Sequence, residues 1–303
     1  MNGQRKAIVT GATGYLGSHL ARRLVRDGWE VHLIVRPSSS LALLEGVTDR
    51  VSIHEHDGST EGMRSILTTA NPVVVFHLAS LFKAGHVAQD IVPLVASNIL
   101  FGTQLLEAMA VCGVEFLVNT GTSWQHYENR DYSPVNLYAA TKQAFEDILR
   151  FYAETTSIKA INLMLYDTYG PRDSRPKLFS LLRRAAGEGT VLAMSEGEQL
   201  LDLVYVDDVI QAYKVAAERL LGNGVCQLES FNVSSGHPVQ LRDLVKLYAG
   251  ISAQPLRVEW GGRPYRPREV MVPWNRGETL PGWKPVIGLE EGLGKMLSQD
   301  APG

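Results

Sequence analysis

The stretch "NLYAATKQAFEDIL" (136–149) sets Tyr138 and Lys142 four residues apart, so a helix there brings both to one face. Of the 11 tyrosines in the chain, only this one is followed by lysine at the fourth position. A free phenol titrates at about 10 and exchanges protons poorly near neutral pH. An ammonium one turn away favours the phenolate and tunes the group for proton exchange with a reacting oxygen. A second hydroxyl is needed to hold that oxygen. "FLVNTGTSW" (116–124) offers Thr120, Thr122 and Ser123, and the register of the segment decides which faces inward. Thr122 is the first choice and Thr120 the second.

Gly11, Gly14 and Gly17 in "VTGATGYLGSHL" (9–20) stand between an apolar run and an amphipathic one. A strand, a tight turn and a helix in that order form the setting of a dinucleotide-binding loop. The first glycine permits the turn, the second lets backbone approach a pyrophosphate, and the third lets helix pack on strand. The helix start then presents free N–H groups and the positive end of its dipole to the phosphates. Gly11, Thr13, Gly14, Tyr15, Leu16 and Gly17 are the contacts expected from this loop. The second strand ends "LIVRPSSS" (33–40), with no carboxylate before Glu45 to accept from an adenosine ribose hydroxyl. Arg36, with Ser38 and Ser39, instead suits a 2′-phosphate, which points to NADP, with NAD as the alternative. With such a cofactor, Lys142 also serves the nicotinamide ribose, and an oxidised nicotinamide ring adds to the pull on the Tyr138 proton.

These groups need a frame. The runs 7–10, 31–35, 51–56, 73–79, 116–120 and 160–166 read as strands, several of them nearly all apolar, as strands covered on both faces must be. Helical patterns at 15–27, 91–112 and 138–155 lie between them. Alternation of this kind means βαβ units and a parallel sheet with right-handed crossovers. After "YGPRDSRP" (169–176) the pattern loosens, and residues 255–285 hold six of the chain's 14 prolines. The expected architecture is α/β: a Rossmann-type doubly wound parallel sheet with a smaller, discontinuous C-terminal substrate lobe. Residues 1–169, with 203–235 returning, are expected to form the dinucleotide domain, and 170–202 with 236–303 the lobe.

Bulk properties narrow the partners. The 303 residues carry a net charge of −3, with 45% apolar and 20% charged side chains, and no feature that favours nucleic acid or an anionic membrane. Arg22, Arg23 and Arg26 read as one solvated helix face. Cys112 and Cys226 have no pairing or metal-ligand spacing. The opening "MNGQRK" runs straight into a strand without a signal-peptide core. No apolar stretch approaches the roughly 20 residues of a membrane span, so a soluble, cytoplasmic protein is expected.

The glycine loop, the hydroxyls after the fifth strand and Tyr-x-x-x-Lys together resemble the extended short-chain dehydrogenase/reductases that act on nucleotide sugars. The resemblance covers nearly the whole chain. It implies that Asp57, with Gly58, contacts the adenine, that Leu78, Ala79 and Ser80 of "HLAS" (77–80) line the nicotinamide side, and that Asn98 joins the cofactor site. "YGPRD" (169–173), "GEQLLDLVYVDDVIQAY" (197–213) and "RPYRPRE" (263–269) match landmarks of the substrate lobe. Lys83, Thr122, Ser123, Trp124, Asp167, Arg172 and Arg268 are the implied substrate-side residues. The wording is most similar to the sugar-nucleotide 4-ketoreductases of the CDP-abequose and CDP-paratose synthase type, which reduce a 4-keto-6-deoxy sugar. Two positions depart from the family: Leu201 stands where it commonly has the arginine that binds the diphosphate, and Asp167 where it usually has asparagine. Arg268, Arg172 or Arg266 is left to carry the diphosphate.

His77 reads as packed and hydrogen-bonded. Trp124, His126 and Tyr127 suit either sugar contact or core packing. The loop 120–125 has no Asp or Glu, so the acid and base of a dehydratase are missing. The expected function is NADPH-dependent reduction of a nucleotide-linked 4-keto-6-deoxy sugar. The rivals are a 4-epimerase that retains NAD and a non-catalytic dinucleotide-binding regulator. Apolar residues on several faces of 91–112 and 138–155 suggest a homodimer.

Overall fold

The computed structural model describes residues 5–222, 224–225 and 227–299, so Cys226 and the ends of both expected domains lie outside the described residues. The first half alternates strand and helix: β1 (Lys6–Thr10), α1 (Tyr15–Arg26), β2 (Glu30–Val35), β3 (Val51–Glu55), α2 (Thr60–Ala70), β4 (Val74–His77), α3 (Ile91–Val95), α4 (Phe101–Cys112), β5 (Phe116–Thr122), α5 (Leu137–Thr155) and β6 (Lys159–Leu165). There follow β7 (Asp167–Tyr169), α6 (Leu178–Glu188), β8 (Val191–Met194), β9 (Leu200–Leu201), β10 (Leu203–Tyr205), α7 (Val206–Leu221) and β11 (Leu228–Val233). The chain continues with β12 (Val239–Gln240), α8 (Leu241–Ser252), β13 (Arg257–Trp260) and α9 (Leu289–Gln299).

Seven strands form one all-parallel sheet in the order β3-β2-β1-β4-β5-β6-β11. The apolar runs of β1, β2, β4 and β6 are buried almost throughout, because helices cover both faces. One core lies under α1 and α7, and the other under α2, α4 and α5. The strand order reverses at β1 and β4, and the crevice at the carboxyl ends of these two strands is where such sheets take ligands.

The expected strand 160–166 is β6, ending at Leu165, and Tyr166 separates it from the short β7 that follows. The expected strand "LDLVYV" (201–206) is divided at Asp202, where the chain changes partners. β9 pairs antiparallel with β12, whereas β10 pairs parallel with β7. The buried Asp202 carboxylate accepts from the Ser234 hydroxyl at 2.5 Å and the Ser235 amide at 2.7 Å, satisfying a group the two ladders leave between them. A third small ladder joins β8 to β13.

One expectation is corrected. Helical structure runs continuously over Ala88–Cys112, and by length and composition this helix is apolar enough to cross a membrane. Asp90, Asn98 and Glu107 interrupt its apolar runs, so no single uninterrupted stretch signals it in the sequence. In the structure its second half packs on α2 and α5.

Candidate active site

The glycine loop is shaped by its own backbone. Gly11 has φ +71°, and a Cβ there would lie 2.6 Å from the Ala79 amide nitrogen in the loop after β4. A Cβ on Gly17 would lie 2.2 Å from the Gly11 carbonyl oxygen. Gly14 caps α1 with extended dihedrals, and a Cβ there would meet only that same oxygen, at 3.3 Å. That contact is already close for a Cβ, and the backbone at position 14 is exposed, so a glycine there suits the close approach of a ligand. α1 starts without a side-chain cap and without an acidic residue in its first turn. Its positive end is therefore not neutralised locally, which fits a pyrophosphate. Thr13 and Leu16 are half-buried beside it, and Tyr15 is buried under the Arg175 guanidinium, 4.4 Å above its ring.

Thr10, at the end of β1, holds this loop to the one after β4. Its hydroxyl accepts from the Ala79 amide at 3.1 Å and lies 2.9 Å from His77 Nδ1. His77 is fully buried between Phe101 and Phe145, and burial with the nearby Lys142 ammonium pushes it down to about 3. It is a neutral packing group. Leu78 and Ala79 are half-buried at the crevice, and Ser80 is exposed.

Asn98 is buried behind the loop that follows β4. Its side chain accepts from the Leu81 amide at 2.7 Å and the Ser80 hydroxyl at 3.2 Å, and donates to the Leu81 carbonyl at 3.0 Å and Thr141 Oγ1 at 2.9 Å. With these four bonds made, its amide clamps the 80–81 loop to α5 beside Lys142. A π turn at Ala96–Leu100 carries it.

α5 starts at Asn136, whose side chain accepts from the Ala139 amide at 2.9 Å, and so brings Tyr138 and Lys142 into the first two turns. Tyr138 is half-buried and hydrogen-bonded to the Ser80 hydroxyl. Desolvation pushes its phenol up to about 12, against the lowering pull of Ser80 and the Arg175 charge. The expected depression is therefore not a property of the protein alone, because burial outweighs the neighbouring charges. Lys142 is buried, and desolvation pushes it down to about 8, with the Glu146 carboxylate pulling the other way.

The hydroxyls after β5 separate by their partners. Thr120 donates to the His77 carbonyl at 2.8 Å and lies 2.6 Å from the Tyr213 hydroxyl. Thr122, at the very end of β5, is buried; its hydroxyl accepts from the Trp124 amide at 3.3 Å and has a proton left to give. Gln125, which sequence reasoning missed, accepts from the Thr122 amide at 3.1 Å and donates to Glu146 at 2.9 Å. Glu146 lies one turn beyond Lys142, and that i+4 spacing was the available signal. Ser123 and Trp124 are half-buried at the mouth.

The remaining candidates are spread out. Arg36 and Ser38 are exposed at the carboxyl end of β2, and the Arg36 amide and carbonyl close a turn with Ser39. Asp57 accepts from the Ser59 amide and hydroxyl, both at 2.8 Å, which holds its carboxyl below the usual range. The Gly58 carbonyl accepts from Gln104 at 2.8 Å. Lys83 is paired with Asp90 at 3.0 Å, and its neighbour Phe82, which was not singled out in the sequence, stands beside Tyr138 instead. Asp167 starts β7, near enough to Lys177 to raise its pKa against the dominant effect of burial. Arg172 lines a crevice of about 620 Å³ with Arg22 and Leu43, on the side of α1. Arg268 donates to the Ser133 hydroxyl at 2.6 Å and covers the Tyr127 ring at 4.3 Å, while His126 stacks on Trp274 at 4.1 Å. Leu201 lies in the β9–β12 ladder.

A family model and three known proteins are similar to this chain. The model of the NAD dependent epimerase/dehydratase family matches residues 7–232. A CDP-abequose synthase of Salmonella muenchen is 24% identical, over 97% of this chain and 97% of its own length. A UDP-glucose 4-epimerase of Mycolicibacterium smegmatis is 27% identical, over 96% and 97%. In fold, the chain is similar to a solved Thermus thermophilus UDP-glucose 4-epimerase in complex with NAD. The TM-score is 0.82 at 24% identity, covering 97% of this chain and 98% of the other.

Proposed function

The chain belongs to the NAD dependent epimerase/dehydratase family, and on that premise we propose that it reduces the keto group of a nucleotide-linked 4-keto-6-deoxy sugar with NADPH. The observation that carries this reading is the exposed Arg36 closing β2, followed by serines and not by a carboxylate. That terminus suits a 2′-phosphate, and so a cofactor that arrives reduced and leaves oxidised. The similarity to CDP-abequose synthase supports the sugar-nucleotide part. Residues 170–202 and 236–303 serve as the substrate lobe in this reading.

When bound, the nicotinamide supplies the hydride that the carbonyl carbon accepts. Thr122 donates a hydrogen bond to the carbonyl oxygen and holds it toward Tyr138. The Tyr138 phenol, protonated at neutral pH, gives its proton to that oxygen as the carbon–oxygen π bond opens, and the product is an alcohol. Lys142 stabilises the phenolate left behind until solvent restores the proton. Gln125 and Glu146 fix the loop and the lysine relative to each other.

The test is stoichiometry with purified protein and CDP-, GDP-, dTDP- and UDP-linked 4-keto sugars. One NADPH oxidised per sugar converted, with free NADP released, is expected, and Tyr138→Phe should lose turnover by orders of magnitude while still binding NADPH. Interconversion of the matching 4-hydroxy nucleotide sugars with NAD and no net change in cofactor, together with no NADPH oxidised by the 4-keto sugars, would instead mean a 4-epimerase, the activity named for the Mycolicibacterium smegmatis relative.

A further inference from the structure

We propose that Phe82 selects the substrate by packing against the methyl group of a 6-deoxy sugar, a choice of sugar that rests on the reductase reading above. Phe82 lies in the loop after β4 and is 43% exposed. Its ring stands edge-on to the Tyr138 ring, with centroids 5.0 Å apart and planes at 77°. On another side it meets Trp124 at 5.7 Å and 53°. Trp124 follows two residues after Thr122, so Phe82 stands between the phenol and the loop that hold the reacting oxygen.

Cations flank this aromatic corner without filling it. The Lys177 ammonium sits 5.4 Å from the Phe82 centroid, and the Arg266 guanidinium 5.4 Å from that of Trp124. Arg266 is also paired with Glu269 through two bonds of 2.9 and 2.6 Å. Lys83 points elsewhere, toward Asp90. An exposed phenyl ring in such a place loses its contact with water when apolar carbon covers it.

In a 4-keto pyranose, C6 is two bonds from the carbonyl carbon, so it falls among the groups that flank the carbonyl. A methyl at C6 covers Phe82 and forfeits no hydrogen bond. A hydroxymethyl must leave water for a ring that offers it no partner. An apolar surface rejects an added hydroxyl by about 10²-fold at most. The preference is therefore set at one to two orders of magnitude.

The experiment compares two substrates with one nucleotide, one with methyl and one with hydroxymethyl at C5, using the full-length enzyme and NADPH. The methyl substrate should be preferred about 10- to 100-fold in kcat/KM. Phe82→Ala should bring the ratio to within about threefold, mostly by impairing the methyl substrate, and Phe82→Leu should keep most of it. An unchanged ratio in Phe82→Ala, or equal loss for both substrates, overturns the proposal. If neither sugar consumes NADPH, the reductase reading fails by itself. The ratio of the two dissociation constants, measured by calorimetry on wild type and Phe82→Ala, then decides the role of Phe82 by the same criterion.

Discussion

The Thr120 and Tyr213 hydroxyls lie 2.6 Å apart, deep at the end of β5, and Thr120 also donates to the His77 carbonyl. The single Thr120 proton is thus committed to His77, and Tyr213 must be the donor of the other bond. Thr120 joins β4, β5 and α7 into one block, which is why the proposed mechanism gives the reacting oxygen to Thr122.

The two threonines should therefore fail differently. Thr122→Val should lower kcat by about 10²-fold or more, the usual cost of losing one oxyanion donor, with little change in melting temperature. Thr120→Val leaves a buried carbonyl and a phenol without their partner and should cost about 1–3 kcal/mol of stability, with a smaller effect on kcat. Activity assays and thermal melts on the two variants separate these outcomes. Loss of turnover in Thr120→Val alone would exchange the roles.

Lys142 is held down at about 8 chiefly by burial, which penalises the charged form. Its ammonium is thus a cost to folding below pH 8. Between about 8 and the ordinary value of 10.5 the folded protein has shed a proton that the unfolded chain keeps, so this group's contribution to stability improves as pH rises through that window. At about 1.4 kcal/mol per pKa unit the penalty at pH 7 is of the order of 3 kcal/mol. Lys142→Met should then raise the melting temperature of the cofactor-free protein at pH 7, with the gain shrinking toward pH 10, while turnover collapses. Glu146 keeps its bonds from Gln125 and Ser230 in that variant. A lower melting temperature would mean that attraction to Glu146 outweighs desolvation.

The parts of this site that follow one another in the chain were legible before the structure. Gly11, Gly14 and Gly17 bring their own strand–turn–helix context, and Tyr138 with Lys142 carries helical spacing. The parts that depend on where a loop returns were not. Asn98 entered through the family resemblance, and nothing local shows that Leu81 and Thr141 are its partners. Lys83 stands just past "HLAS", but its pairing with Asp90 and the contact of Phe82 with Tyr138 emerge only in the fold. Gln125 shares no local pattern with Glu146, 21 residues on, and three-dimensional closure alone joins them. Strand ends suffered similarly: Asp202 sits inside an apolar run, and only its partners at 234–235 explain the break there.

Arg36 supplies a test of cofactor choice. An exposed guanidinium at the end of β2 can fork onto a 2′-phosphate, and a charge-assisted contact of that kind is worth about 1.5–3 kcal/mol. NADPH should bind more tightly than NADH, and Arg36→Ala should weaken NADPH by about 10- to 100-fold while leaving NADH nearly unchanged. Fluorescence titration of both cofactors reads this directly. An unchanged preference would move the 2′-phosphate away from Arg36.

The last prediction concerns association. Val92 is 76% exposed, and Ile91, Val95, Leu100, Val111 and Phe151 also present apolar side chains to solvent from α3, the π turn after it, α4 and α5. Water-exposed apolar side chains concentrated on neighbouring helices mark a surface that gains by being covered. A second copy of the chain, related by a twofold axis, would lay the same helices against themselves. Light scattering should give twice the chain mass, and Val92→Glu with Leu100→Glu should shift the protein toward monomer by burying like charges in the interface. The consequence reaches the site, because Asn98 lies between these two positions in sequence and ties the 80–81 loop to α5. Turnover per chain should therefore fall as wild-type protein is diluted through the dimer dissociation range, in step with the mass. A monomeric wild-type mass at every concentration would refute the dimer, and activity that stays constant while the dimer dissociates would uncouple it from Asn98.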